Sequence, residues 1–179
     1  MRACLVLARA VIEAGPAGAD APELDLELQA GAVAFPVAGC FVSIYEEQRR
    51  RGCVGSFSPR RALPEQIARL TQVAAFEDQS ASPIRRSELD RIDIAIWIVH
   101  RLLPCRSIDD IAPGVHGVCV RNGNRLGVYL PYVARKHGWT SQQLVEEACL
   151  KAGLRREMWR EVDVELLEAS CFGERARPW

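Results

Sequence analysis

Helices and antiparallel hairpins interspersed in one globular chain are what this sequence predicts, and three observations carry the prediction. The 179 residues, 49% hydrophobic and 26% charged, suffice for one domain to bury a core without disulfide or metal staples. Two stretches, 40–57 and 114–130, alternate apolar and polar residues on either side of turn-forming sequence, which is the pattern of hairpins. Elsewhere apolar residues recur three and four apart, the period of helices that bury one face.

Taken in order, residues 3–14 place Leu5, Ala8, Val11 and Ile12 on one stripe, an amphipathic helix that Gly15-Pro16-Ala17-Gly18 stops. The alanine-, glycine- and proline-rich stretch to about Val37 has no period and reads as a connection with a short strand or turn. Cys40 to Tyr45 forms a strand with Phe41 and Tyr45 on one side, and Gly52 to Phe57 a second, with Glu46 to Arg50 in the turn and Cys53 near the start of the second strand. Pro64 suits a first helical turn, and Leu63, Ile67, Leu70 and Ala74 carry that helix to about Phe76. Ser82-Pro83 marks a turn, and Ser87 caps a short helical turn through Leu89. Ile92, Ile94, Ile96 and Ile98 then alternate with Asp93, Ala95, Trp97 and Val99, so both faces are apolar and the strand belongs in the interior of its sheet.

Asn122-Gly123 supplies the positive φ angles of a type I′ turn between two strands, the first holding His116. Pro131 opens a helix that His137-Gly138 ends, and Thr140-Ser141-Gln142-Gln143 has capping-box form for another, running to Ala152 with Gly153 as cap. Leu144, Val145, Ala148 and Cys149 make its inner face. Arg155 to Trp159 reads as a further helical turn and Val162 to Phe172 as the last strand.

Composition removes several function classes. Lysine plus arginine and aspartate plus glutamate each sum to 23, so no global basic field invites nucleic acid. Seven cysteines, at 4, 40, 53, 105, 119, 149 and 171, are odd in number and lack a Cys-x-x-Cys pair; they read as reduced thiols of a cytoplasmic protein with no structural metal. Cys40, Cys119 and Cys149 lie on elements whose periodicity buries them, whereas Cys4, Cys105 and Cys171 lie near ends or turns where exposure is expected. The first residues imitate a signal peptide, but Arg9 and Glu13 interrupt the apolar run, and no later segment is long enough to span a membrane. No phosphate loop, serine-hydrolase elbow, dinucleotide fingerprint or internal repeat is present, and no cofactor is implied.

The unusual local chemistry is Arg51-Gly52-Cys53-Val54-Gly55-Ser56-Phe57. A thiol acts as nucleophile through its thiolate, which nearby cations favour, so Arg49, Arg50 and Arg51 provide a means of activating Cys53. Gly52 and Gly55 leave room for a bulge, a ligand or another backbone. A free cysteine among apolar strand residues is most often just a small buried hydrophobe, and that is the other reading of Cys53. His116 is either a hydrogen-bonded structural histidine or an acid or base. The spacing His116-x-x-Cys119 does not make a metal pair, because residues three apart on a strand face opposite ways.

Gly39-Cys40-Phe41-Val42-Ser43, Arg51 to Phe57, Ala74-Ala75-Phe76-Glu77-Asp78, Gly114-Val115-His116-Gly117, Leu130-Pro131-Tyr132-Val133-Ala134, His137-Gly138-Trp139 and Cys149 to Leu154 occur in the order that resembles the AMMECR family, also known as protein A of the AmmeMemoRadiSam system. The resemblance covers about 40–174. It implies an α+β fold with a mostly antiparallel sheet, packed helices and two unequal lobes bounding a cleft, the larger lobe using both chain ends and the smaller the middle of one AMMECR-like domain over 1–179. It also implies action with a Memo-like protein of the extradiol dioxygenase fold and with a radical S-adenosylmethionine enzyme. The chain departs from the family's usual pattern at Arg50, where leucine is usual, and at Asp78 to Pro83, where an aspartate-x-arginine-phenylalanine block is usual.

Two functions fit these residues. In one, the protein is a non-catalytic binding or accessory module whose cleft, with Gly52, Gly55, Ser56 and Gly117 at its edge, takes a small molecule or the partner proteins. In the other, the protein is an enzyme or covalent carrier for group transfer in which Cys53 is the nucleophile, Arg51 stabilises its thiolate or holds an anion, and His116 is the acid or base.

Overall fold

The computed structural model describes residues 1–16, 37–47, 49–57 and 62–175. The expected connection up to Val37 lies almost wholly outside them. The elements are α1 (Arg2–Ala14), β1 (Gly39–Glu46), β2 (Arg49–Ser56), α2 (Leu63–Phe76), β3 (Ile92–Pro104), β4 (Gly117–Asn122), β5 (Arg125–Tyr129), α3 (Pro131–His137), α4 (Ser141–Lys151) and β6 (Asp163–Gly173), with single 3₁₀ turns at Arg86–Glu88, Ile108–Asp110 and Arg156–Arg160. The strands form one six-stranded sheet in the order β2-β1-β3-β6-β4-β5. With β3 third in that order, the isoleucine strand is interior, as its two apolar faces require.

The chain divides into two compact units. The first takes Met1–Ile98 and the strand end from Ser170 onward. Its core is a sandwich of helix on sheet: Leu7, Ala8, Val11 and Ile12 of α1 and Ile67, Leu70 and Ala74 of α2 pack with Cys40, Val42 and Ile44 of β1 and the four isoleucines of β3. Helical and strand periods put these side chains on one face each. The opposite face of β3 is also buried at Asp93, Ala95, Trp97 and Val99. Arg9 ties the layers together, donating to the carbonyls of Leu89 (2.9 Å) and Ile92 (3.1 Å) and through Nε to Glu174 (2.8 Å), while Glu174 also accepts from the Ile94 amide (2.9 Å).

The second unit spans Val99–Ala169. Here β4 lies between β5 and β6, antiparallel to both. Leu144, Val145, Ala148 and Cys149 of α4 join Val118, Val120, Ala134 and Leu166 in its core. The Thr140 hydroxyl accepts from the Gln143 amide and the Gln143 side chain returns to the Thr140 amide, the reciprocal cap its sequence foretells. A β carbon at Gly127 would stand 2.0 Å from the Ala148 carbonyl oxygen, so glycine is what lets α4 lie directly on β5.

Several expectations need correction. Asn122 pairs with Arg125 and its φ is not positive, so the hairpin turn is made by Gly123 (φ 57°) and Asn124, and Ser87 lies within the 3₁₀ turn Arg86–Glu88 and does not cap it. β2 begins at Arg49, three residues early, because Tyr45↔Arg50 and Glu46↔Arg49 pair; Arg49 to Arg51 are therefore strand residues and Cys53 is in mid-strand. His116 lies outside β4: Pro113 and Gly114 (φ 87°) turn the chain back so that the His116 amide bonds the Ala112 carbonyl (2.9 Å), and the strand starts at Gly117. Cys4 is buried at 9% exposure, since it falls on the core face of α1 and a position near a terminus does not itself expose a side chain. β3 also continues past Val99 to Pro104, where exposed His100 and Arg101 end the apolar pattern although the residues remain in the strand.

Candidate functional site

Cys53 is half-buried on β2, opposite Ser43 of β1. Strand alternation sends Cys40, Val42 and Ile44 into the core of the first unit and Ser43 to the other face, where its hydroxyl donates to the Cys53 sulfur at 3.3 Å. The Cys53 amide donates to Asp78 Oδ2 at 2.9 Å, and Asp78 Oδ1 accepts from the Ser80 amide (2.9 Å) and hydroxyl (2.7 Å). Burial pushes the Asp78 carboxyl up, but the bonds from Cys53 and Ser80 and the nearby charge of Arg50 outweigh it and hold the group below the usual carboxylate range. Asp78 follows the end of α2, so the helix delivers the carboxylate that closes β2's outer amide.

Arg51 occupies a register shift. Ile44 pairs with Gly52 and Tyr45 with Arg50, leaving Arg51 as the additional residue of a bulge. Its guanidinium donates to Glu46 (2.8 Å) and to Glu88, and Glu46 also pairs with Arg91 (3.1 Å). The bond from Arg51 is the largest influence lowering Glu88, ahead of the opposing effect of burial. These contacts fasten the hairpin to the 3₁₀ turn at Arg86–Glu88 and give the Arg51 charge two carboxylate partners.

The glycines are packed by protein. A β carbon at Gly52 would sit 2.1 Å from the Ala74 carbonyl oxygen of α2, and one at Gly55 would sit 1.8 Å from the Phe41 ring, itself edge-on to Phe57 at 5.6 Å between centroids. Of the outcomes that glycine permits, a bulge and the close approach of another backbone are both present at Gly52. Ser56 is half-buried and pairs with Cys40.

His116 and Gly117 belong to the second unit. His116 Nδ1 accepts from the Ala112 amide at 3.1 Å, which leaves Nε2 to carry the proton in the neutral ring. A β carbon at Gly117 would stand 2.3 Å from the Tyr129 carbonyl oxygen and 3.1 Å from Pro131, so glycine admits the β5–α3 junction. Among the described residues, no group of three or more His, Cys, Asp or Glu side chains converges on a point that could hold a metal ion, and no helix is long and apolar enough to cross a membrane.

Ser43, Glu46, Asp78 and Glu88 therefore complete the surroundings of Arg51 and Cys53. Periodicity could not single them out, because each is an ordinary polar residue whose partner lies on a different element. The nearest sequence signal is the position of Asp78 just past a helix end.

Fold and site together define an α+β protein whose arginine-glycine-cysteine strand is built into a hairpin at the end of the sheet order. The AMMECR1 family model matches residues 5–172, and the chain belongs to that family. Protein Mbar_A1807 of Methanosarcina barkeri is 31% identical over 177 residues, covering 96% of this chain and 86% of that relative. Protein MK0488 of Methanopyrus kandleri is 34% identical over 147 residues, covering 76% and 71%. The crystal structure of the uncharacterized protein PH0010 from Pyrococcus horikoshii superposes with a TM-score of 0.87 at 23% identity, over 96% of this chain and 89% of that one, and has the same fold.

Proposed function

We propose that this chain is a non-catalytic binding or accessory module of the cytoplasm that acts with a Memo-like protein and a radical S-adenosylmethionine enzyme. The observation that carries this reading is the engagement of Arg51 by Glu46 and Glu88. A cation already paired with two carboxylates has little electrostatic capacity left for activating a thiolate. Cys53 has its amide on Asp78 and its sulfur on a serine hydroxyl, a donor that does not remove a thiol proton at neutral pH. Gly52, Gly55 and Gly117 then shape backbone, and Ser56 with the neighbouring hairpin surface is where a small molecule or partner would be recognised. The partners themselves come from the family resemblance.

The competing reading, group transfer by Cys53 with Arg51 and His116, is separated by Cys53→Ser. The variant is mixed with the Memo-like and radical enzyme partners, and complex formation and product are followed together. Retention of both, with an unchanged melting temperature, is expected of a module. A variant that folds and binds but yields no product would establish the thiol as a reacting group.

A further inference from the structure

The face of α1 that points away from the core borders an open groove of about 600 Å³. Cys4, Leu7, Ala8, Val11 and Ile12 take the inner face. The 3.6-residue period then lines up Arg2, Val6, Arg9 and Glu13 outside, flanked by Leu5 and Ala10, and Phe172 at the end of β6 forms part of the groove wall. Val6 is 60% exposed on this face. Leu5, Val6, Ala10 and Phe172 thus form a narrow apolar strip rimmed by charge.

We propose that this face is a self-association surface, on which α1 of a second copy of the chain lies antiparallel to α1 of the first. The order of charges selects that occupant. A two-fold interface requires that if one residue meets another, the second meets the first across the axis. An axis passing midway along α1, between Leu7 and Ala8, sets Arg2 against Glu13 of the second copy and, by symmetry, Glu13 against its Arg2. The same axis sets Leu5 against Ala10, a large side chain against a small one, and Val6 against the stem of Arg9. The Arg9 guanidinium would ordinarily repel its own copy at such a centre. It is bound instead by Glu174 and by the carbonyls of Leu89 and Ile92, so Arg9 offers the partner mainly its methylene stem. A lone helix face is small beside the roughly 1,000 Å² expected of a stable interface, so the association is weak and concentration-dependent.

Sedimentation equilibrium of the full chain from about 1 to 200 µM, at low and at high salt, reads the association directly. Wild type is expected to dimerise reversibly, less so at high salt. Val6→Glu should abolish it. Glu13→Arg and Arg2→Glu should each weaken it by roughly tenfold or more, because each replaces two opposite-charge contacts by two like-charge ones. Mixing the Glu13→Arg chain with the Arg2→Glu chain should restore association as a heterodimer, and the double variant should self-associate like wild type. Circular dichroism on each variant excludes loss of fold as the cause. A wild type that stays monomeric throughout, meaning that another segment or another protein covers the groove or that none does, would overturn the proposal. Dimerisation indifferent to both charge reversals would overturn it equally, since the contact would then lie elsewhere.

Discussion

Substituting Gly52 by alanine tests the central packing argument. The added β carbon would lie 2.1 Å from the Ala74 carbonyl oxygen and 3.1 Å from its carbonyl carbon. An ordinary carbon–oxygen contact is about 3.3 Å, so the two elements must separate by on the order of 1 Å. The obstacle is helix backbone, which cannot rotate aside as a side chain does, and Ala74 is itself fully packed at 2% exposure. Overpacking of this kind costs about 1–3 kcal/mol, and the rigidity of both partners places Gly52→Ala near the upper figure. For a chain of this length that is a fall in melting temperature of roughly 6–12 °C. Gly173→Ala is the control, because its β carbon would meet the Ile94 carbonyl oxygen at 3.2 Å and needs only a slight adjustment. Urea denaturation and thermal melting of both variants provide the comparison. If Gly52→Ala melts with the wild type, α2 does not rest on β2 as described, and the packing explanation of that glycine is wrong.

Ile96→Asp should prevent folding, costing about 4 kcal/mol or more by burying a carboxylate at a fully enclosed position, and far-UV circular dichroism should show the loss. Burial pushes the Cys40 thiol up to about 12 and the Cys119 thiol up to about 11, so mass spectrometry after brief alkylation of folded protein at neutral pH should find both unmodified while half-buried Cys53 and Cys171 are labelled; Cys105, whose thiol burial and the Asp110 charge also push up, should react more slowly than these two. Asp78 and Glu88 are both held below their ordinary values, hence their contribution to stability is complete only above those ordinary values, at about pH 5 and higher, and is lost as pH falls through the lowered folded values. Accordingly, Asp78→Asn and Glu88→Gln should be less stable than wild type at pH 7 and converge with it in acid; a constant difference in urea midpoint down to pH 2 would contradict the assigned contacts.

Much of the fold was legible in the amino-acid order alone. The α4 face of Leu144, Val145, Ala148 and Cys149, the Thr140 cap and the interior position of the isoleucine strand all follow from interactions within one element, or from a two- or 3.6-residue period that local geometry imposes. Family membership was equally legible, since ordered short blocks survive where overall identity falls to about a third. What only the tertiary structure decided is whom each polar residue meets. Arg51 reads in sequence as the end of a cationic run beside a thiol, yet a bulge turns it toward Glu46 and toward Glu88, 37 positions away. Asp78 reaches the Cys53 amide across 25 positions, and His116 spends Nδ1 on the Ala112 amide because a glycine turn, not a strand, precedes Gly117. Hydrogen bonds and ion pairs between elements leave no period in the chain. They depend on where packing brings distant backbone together, which is why the cysteine could be singled out from its neighbours in sequence while its surroundings could not.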